Sequence, residues 1–424
     1  MTVNFSTRAL LSAMAPIGDV LSSLKNECEI QDRKKDTDTK ETLISTSRPR
    51  WTTAKGQEYL ASLLDQINES KFKPSIRYLR AFLQRYVSLL EQEGFILEDE
   101  SLVCLLMRLQ FQGKGDNREL PNPMEVCHVS FSIPTGIKSN SSTYDERQVG
   151  FQVYPHHNDV GVRKFWEAGA ALTEFLMVHP YNLYLHNRRV LELGAGLGLT
   201  GLVLAGQCAT KSMHLTDYTN ATLENMTKNV QQNRDWLAIQ GKLNRLRWGN
   251  TNVSSNPVIT TGYLEWDEFS KSHDLQKING RDQSLLYKAT YPIIQQSHQK
   301  SLEIALNADV LISADVVYDR TVIPQLVSVV KALLSYSKNA NAKKSADVNK
   351  SRGKTAILAT TYRNAETFEL FEREIEKSEV KCEVIEADVL NSLPSIFPCY
   401  YIQGRNEVRI FIMTVDKAVE NEDS

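Results

Sequence analysis

Arg189-Val-Leu-Glu-Leu-Gly-Ala-Gly-Leu-Gly-Leu-Thr-Gly201 is the stretch on which the reading of the fold turns. A β-branched and leucine-rich run enters a cluster of four glycines, which opens into the apolar segment Leu199–Ala205. That order is the pattern of a buried parallel strand, a tight turn and a helix N-terminus. Gly194, Gly196 and Gly198 lack a Cβ, so the chain can bend sharply and let a ligand rest on bare backbone. Glu192 lies on the strand just before the bend. A carboxylate there repels a pyrophosphate but suits the ammonium of an amino-acid-like ligand, which S-adenosylmethionine carries along with a sulfonium. Gly196-Leu-Gly198-Leu-Thr-Gly201 also satisfies the dinucleotide fingerprint G-x-G-x-x-G. Spacing alone therefore leaves three readings: an S-adenosylmethionine site, a dinucleotide site and a structural turn.

Downstream of the turn, strand and helix alternate, which predicts a doubly wound parallel sheet. Strands are expected at Arg189–Leu193, Ser212–Asp217, Ile259–Trp266, Ala308–Ala314, Thr355–Thr361, Cys382–Ala387 and Val408–Val415. Helices are expected at Leu199–Ala205, Asn220–Asn233, Thr321–Tyr336 and Asn364–Lys377. The last strand follows its predecessor through a short proline-containing loop, which favours a terminal antiparallel strand. The fold class is α/β, a seven-stranded Rossmann-like sheet. Two polar stretches read as insertions, Ser270–Leu302 and Ser337–Gly353, and the second is expected to be disordered.

Upstream, Phe165–His179 reads as an amphipathic helix carrying Trp166. Val126–Ile133 and Gly150–Tyr154 alternate as a β-hairpin around the polar turn Gly136–Ser142. From Trp51 to Gln112 the apolar spacing is helical in three segments, one beginning at Pro74, and its leucines and aromatics read as core. Residues 26–50 are charged and polar, as in a flexible linker. The expected organisation is a flexible segment 1–50, a helical module 51–120, a sheet domain 121–416 and a polar tail 417–424.

Bulk properties exclude some partners. The 424 residues are 42% apolar and 24% charged, with a formal charge of −2, so no overall basic field invites nucleic acid or anionic membrane. Six scattered cysteines form no C-x-x-C pair, which argues against structural zinc or a disulfide framework and for a reducing compartment. The histidines show no ligand spacing, and no metal is expected. The apolar patch Ala9–Val20 is broken by Pro16, Gly18 and Asp19, so a cytosolic start is expected.

Ligands of such sheets bind beyond the carboxyl ends of the strands. Asp217 closes the second strand, where a carboxylate can hold both hydroxyls of a ribose or, alternatively, cap the next helix. Trp266 closes the third strand, where its indole can cover an adenine or cap the core. Trp166 is placed to close the far end of the same pocket. Ser313-Ala-Asp-Val-Val-Tyr318 closes the fourth strand. Asp315 and Tyr318 supply a carboxylate and a phenol suited to an amine that must be positioned and relieved of a proton. The alternative is an Asp cap and a packed Tyr. Adenine and glutamine methylases use an N-P-P-Y-type motif at this place. Val316 and Val317 stand where its prolines would be, which favours a lysine side chain over a base.

Together, Trp166, Glu192–Gly201, Asp217, Leu264-Glu-Trp-Asp267 and Asp315-Val-Val-Tyr318 resemble the seven-stranded (class I) protein-lysine methyltransferases with the D-x-x-Y motif. Thr361-Tyr-Arg-Asn-Ala-Glu-Thr-Phe368 and Lys73-Pro-Ser-Ile-Arg-Tyr78 resemble the elongation factor 2 lysine methyltransferases within them. The resemblance runs from about Pro74 to Val415. It implies a methyltransferase sheet, S-adenosylmethionine as cofactor and translation elongation factor 2 as the protein substrate. It implies a cytoplasmic, monomeric enzyme without direct nucleic-acid or membrane partners. It also implies cofactor contacts at Trp166, Gly194, Ala195, Gly196, Asp217, Trp266 and Ala314, with Asp315 and Tyr318 facing the substrate. The alternatives are a methyltransferase for another protein lysine, a catalytically silent binding module of the same fold, and a nicotinamide dehydrogenase, for which no residue set nominates a hydride acceptor site.

Overall fold

In the computed structural model, residues 6–33, 49–111, 122–134, 148–248, 257–267, 292–336, 353–398 and 402–415 are described. Contacts divide the chain into two units. The first comprises Met1–Pro134, Asn140–Asn158 and Ser395–Cys399; the second comprises Thr135–Ser139, Asp159–Pro394 and Tyr400–Ser424.

The first unit holds helices α1 (Thr7–Ser12), α2 (Ile17–Arg33), α3 (Ala54–Glu69), α4 (Ile76–Gln92) and α5 (Glu100–Phe111), with strands β1 (Cys127–Ser132) and β2 (Gln148–Val153). Its core joins Leu11, Leu24, Trp51, Leu60, Phe82 and Tyr86, which are all buried. Burying side chains of this size stabilises by about 1.5–3 kcal/mol each relative to exposure. A buried amide staples the interior. Gln57 donates from Nε2 to the carbonyls of Thr52 (3.2 Å) and Ile96 (3.0 Å), and its Oε1 accepts from the N–H groups of Glu98 (2.7 Å) and Asp99 (3.0 Å). β1 and β2 pair antiparallel, as the hairpin expectation required, with Phe131 facing Val149. The expected boundary at residue 120 falls inside this unit.

The first fifty residues are not uniformly flexible. α1 and α2 bury Leu10, Leu11, Val20, Leu21 and Leu24, and Ser6 caps α1 by accepting from the Ala9 N–H at 3.2 Å. Pro16, read as an interruption, stands at the bend between the two helices. A composition dominated by charged neighbours hid an apolar stripe that needs α3 and α4 to cover it.

The second unit contains α6 (Glu167–Met177), β3 (Arg189–Leu193), α7 (Leu199–Gln207), β4 (Ser212–Asp217), α8 (Asn220–Gln232), α9 (Arg234–Trp248), β5 (Ile259–Tyr263) and α10 (Pro292–Leu306). It continues with β6 (Val310–Ala314), α11 (Ile323–Ser335), β7 (Thr355–Thr361), α12 (Ala365–Lys377), β8 (Lys381–Ile385) and β9 (Val408–Thr414). Its seven strands run in the order β5-β4-β3-β6-β7-β9-β8. β9 is antiparallel to both β7 and β8, and the other pairs are parallel. This is the expected α/β sheet with its last strand antiparallel. Leu191, Leu193, Leu311 and Leu358 of the sheet form one core with Leu326 of α11 and Phe371 of α12. On β3, Glu192 alternates with these leucines and meets α7 on the opposite face.

Besides the short helices Ala387–Ser392 and Ile402–Glu407, which stand between β8 and β9 where a short loop was expected, two longer helices escaped the pattern reading. The buried face of α9 carries Gln240 and Asn244 beside Trp236 and Leu237, so its apolar period is broken. Those amides are spent on α7: Gln240 Oε1 accepts from Gln207 Nε2 at 3.1 Å, and Asn244 Nδ2 donates to the Gly206 carbonyl at 2.8 Å. α10 lies at the end of the stretch read as a polar insertion, and Leu302, Ala305 and Leu306 anchor it in the core. Residues 268–291, the earlier part of that insertion, and 337–352, nearly all of the other, lie outside the described residues. None of the described helices is long and apolar enough to cross a membrane.

A buried ion pair ties the first helix of this unit to its last segment. Arg405 Nη2 donates to Glu174 Oε2 at 2.5 Å, and Arg405 also reaches the Leu393 carbonyl at 2.9 Å. Both side chains are almost fully buried. Removing one partner strands the other charge. Arg405→Ala is expected to lower unfolding stability by about 3–5 kcal/mol, read as a reduced denaturant midpoint; a loss below about 1 kcal/mol would show the pair to be dispensable.

Candidate active site

The chain leaves β3 at Leu193 and turns through Gly194, Gly196 and Gly198, at φ of 63°, 54° and 77°. These are left-handed values that cost other residues energy. The absence of a side chain also sets spacing. A Cβ on Gly194 would stand 2.8 Å from Val316 Cγ1 and 3.5 Å from the Trp266 indole, and one on Gly196 would stand 3.3 Å from the Gly161 carbonyl oxygen. The turn is therefore bare backbone between Trp266 on one side and the loop at Gly161 on the other.

The Oε2 of Glu192 accepts from the Gly201 N–H at 2.9 Å, so it holds the first turn of α7 from within the fold. The side chain is 2% exposed. One oxygen is thus given to the helix N-terminus, whose first N–H groups lack intrahelical partners. Burial pushes the carboxyl up to about 8, with the Gly201 N–H opposing and the Asp217 charge adding.

Asp217 is 8% exposed at the end of β4. Its Oδ2 accepts from the Gly196 N–H at 3.0 Å and its Oδ1 from the Tyr218 N–H at 2.8 Å. Burial raises its carboxyl above the ordinary range, against those two hydrogen bonds. It does not cap α8; Thr219 does, accepting from the Thr222 N–H at 3.1 Å. Each carboxylate oxygen keeps a further lone pair for a ligand hydroxyl.

Asp159, which the sequence reading missed, pins the facing loop. It accepts from the Gly161 N–H (2.9 Å), the Thr222 hydroxyl (3.0 Å) and the Thr219 hydroxyl. An Asp two residues before a glycine is a local turn signal, but its partners on α8 are visible only in three dimensions.

β6 ends at Ala314, and Asp315 follows with φ 52°. This carboxylate is buried and accepts hydrogen bonds at both oxygens. Oδ2 accepts from the Ala168 N–H at 3.0 Å, and Oδ1 from the Thr361 N–H at 3.0 Å and Arg363 Nη1 at 3.4 Å. It thus caps α6, whose own N-cap residue Trp166 offers no side-chain cap. Arg363 Nη2 continues to Glu167 Oε2 at 2.7 Å, and its guanidinium lies 5.2 Å from the Trp166 ring centroid. Lys164 Nζ is 4.4 Å from the same ring. The pair Arg363 and Glu167 was not nominated as site residues; Asn364 signals only a helix start, accepting from the Thr367 N–H at 3.2 Å.

Tyr318 is 57% exposed, as is its acidic-side neighbour Tyr218 at 58%. Partial burial and the charges of Asp217, Asp319 and Asp159 push the Tyr318 phenol up, so it stays protonated at neutral pH. Val316 and Val317, the residues standing in for prolines, are buried in the core behind it. The structure thus gathers Gly194, Ala195, Gly196, Asp217 and Trp266 around one turn. It gathers Trp166, Ala314 and Asp315 around the start of α6, where Ala314 Cβ lies 3.8 Å from the place a Gly169 Cβ would take.

Comparison with known proteins narrows the class. Residues 149–261 match the family model described as lysine methyltransferase. The human protein-lysine N-methyltransferase EEF2KMT is 26% identical over 314 residues, 74% of this chain and 74% of that protein. The protein of the same name from Bos taurus is 25% identical over 339 residues, 78% and 81% of the two chains. Protein-lysine N-methyltransferase EFM3 of Chaetomium thermophilum is 24% identical over 206 residues, 49% and 44%. Among solved structures, the methyltransferase domain of bacterial CtHen1 aligns at 12% identity with a TM-score of 0.29, covering 55% of this chain and 92% of that one. The strand order and the family match define a class I methyltransferase that takes its methyl group from S-adenosylmethionine. More narrowly, the chain carries a lysine methyltransferase domain. The residues present fit that donor: bare backbone at Gly194 and Gly196, a carboxylate at Asp217, an indole at Trp266 and no phosphate-binding cation in the turn.

Glu192 makes stability pH-dependent in an unusual direction. Between its ordinary value of 4.5 and its folded value of about 8, the unfolded chain releases a proton that the folded chain keeps. Its contribution is full below about 4.5 and is lost as pH rises towards about 8, at no more than about 1.4 kcal/mol per pH unit. Glu192→Gln, which still accepts from Gly201, is expected to flatten that slope in chemical denaturation from pH 5 to 8. A variant slope equal to the wild type would remove the buried carboxyl from the titration.

Proposed function

We propose that this enzyme methylates the ε-amine of a lysine in translation elongation factor 2, in the cytoplasm. The name of the human and bovine relatives, each aligned over about three quarters of its length, supports the substrate. The described cysteines are all free, in keeping with a reducing compartment. The observation that carries the reading is the arrangement of Asp315 and Tyr318 at the end of β6, beside the turn built by Gly194, Ala195 and Gly196.

In this reading Asp217 takes the ribose hydroxyls, Trp266 covers the adenine, and Trp166, Ala195 and Ala314 line the rest of the donor site. The donor, when bound, supplies an electrophilic methyl group on a positively charged sulfur. Transfer is an in-line displacement: the nitrogen–carbon bond forms as the sulfur–carbon bond breaks, and the positive charge passes to the amine. The protein therefore gains most by alignment and by presenting the amine unprotonated. A lysine in water is protonated below about pH 10.4. The acidic groups Asp217, Asp315 and Asp319 attract the ammonium, and its proton leaves to solvent at the exposed Tyr318 edge. The Tyr318 phenol, itself protonated, offers its oxygen as acceptor to one amine N–H. Asp315, whose oxygens already hold Ala168, Thr361 and Arg363, orients the site with a spare lone pair towards the amine.

Incubation of the purified chain with elongation factor 2 and methyl-labelled donor, followed by peptide mass spectrometry, tests the reading. A labelled lysine in that protein is expected; label only in other lysate proteins would reassign the substrate. Asp315→Asn is expected to lower kcat by about 10²-fold while donor affinity stays within about threefold. Asp217→Ala is expected to weaken donor binding about 100-fold, about 2.7 kcal/mol. Equal loss of both quantities in Asp315→Asn would show that residue to be misassigned.

A further inference from the structure

A second cavity, of about 500 Å³, lies at the outer edge of the sheet and shares no lining residue with the glycine turn. β5 is the edge strand, and the cavity opens between the end of α8, the first residue of α9 and the later turns of α10. His214 of β4 is part of its lining and is 3% exposed. Its Nδ1 lies 2.8 Å from Thr260 Oγ1, whereas its Nε2 is buried without a hydrogen-bond partner. Gly262 lets the elements pack closely beside that ring: a Cβ would stand 3.0 Å from His214 Nε2 and collide with Ser301 Oγ.

The remaining lining is chemically one-sided. Lys300 of α10 and Arg234 of α9, both exposed, bring positive charge to the lining. Thr227, Gln231 and Ser301 add neutral hydrogen-bonding groups, and no described lining residue is acidic. Val230, Ile259 and Ile304 leave an apolar strip beside the charged end. Burial, with Lys300 adding, lowers the imidazole to about 4, so it lines the cavity as a neutral ring.

We propose that this cavity is a binding site for a small phosphomonoester, with the phosphate held between Lys300 and Arg234 and its organic part against Val230 and Ile304. Two cations match the nearly doubly negative group, and tetrahedral oxygens can meet hydroxyl and amide groups at once. The volume exceeds that of the phosphate alone. The proposal is independent of the methyl-transfer chemistry.

Titration calorimetry on the full chain tests it, with adenosine 5′-monophosphate as probe and the donor site first filled with S-adenosylhomocysteine. One-site binding with Kd below about 1 mM, displaced by inorganic phosphate, is expected. The double substitution Lys300→Gln, Arg234→Gln is expected to weaken it at least tenfold while leaving methyl transfer unchanged. Perturbation of the His214 side-chain nitrogen resonances on addition of the probe would place it in the cavity. Absence of binding, binding undiminished in the double variant, or citrate binding as tightly as the phosphomonoester would each overturn the proposal.

Discussion

A single carboxylate holds together three distant segments at the end of β6. Asp315 accepts hydrogen bonds from Ala168, Thr361 and Arg363, groups that lie 147, 46 and 48 residues away in the chain. Through them it fixes the start of α6, the end of β7 and the arginine that lies over Trp166. Hydrogen bonds to a charged acceptor are stronger than neutral ones, and a buried charge without such partners would be costly. The left-handed backbone at Asp315 is the strain that this network supports. The residue therefore ties these segments together with two oxygens.

The glycine turn follows a parallel logic. Asp217 grips the Gly196 N–H, and Asp159 grips Gly161 and the hydroxyls at the start of α8. The glycine turn is thereby clamped from two directions by groups of the fold itself. Glu192 occupies a third position behind the turn, bonded to α7. Three carboxylates near one bend thus have three distinct duties, separated by what each one can reach.

Much of the sheet was legible because its chemistry is local. β3, β4 and β7 have the bounds that alternation and turn residues predict, and Gly194, Asp217, Ala314 and Asp315 fall at strand ends as expected. Helix α9 was not legible, since its buried face is built of amides that satisfy α7 rather than of apolar residues. Nor were α1 and α2, whose apolar stripe is diluted by charges and becomes meaningful only against α3 and α4. The bond from Glu192 to the Gly201 N–H was not legible either, because a strand-end carboxylate looks the same whatever it turns to.

By itself the sequence determined the order of strands and helices, the glycine turn and which strand ends carry acidic or aromatic groups. Periodicity and glycine content act over a few residues, so they survive in one dimension. Only the tertiary structure decided the partners of Asp315, Asp159, Glu192 and His214. Those partners are N–H groups and hydroxyls brought close by packing, and a short-range force between distant segments leaves no pattern in the chain until it has folded.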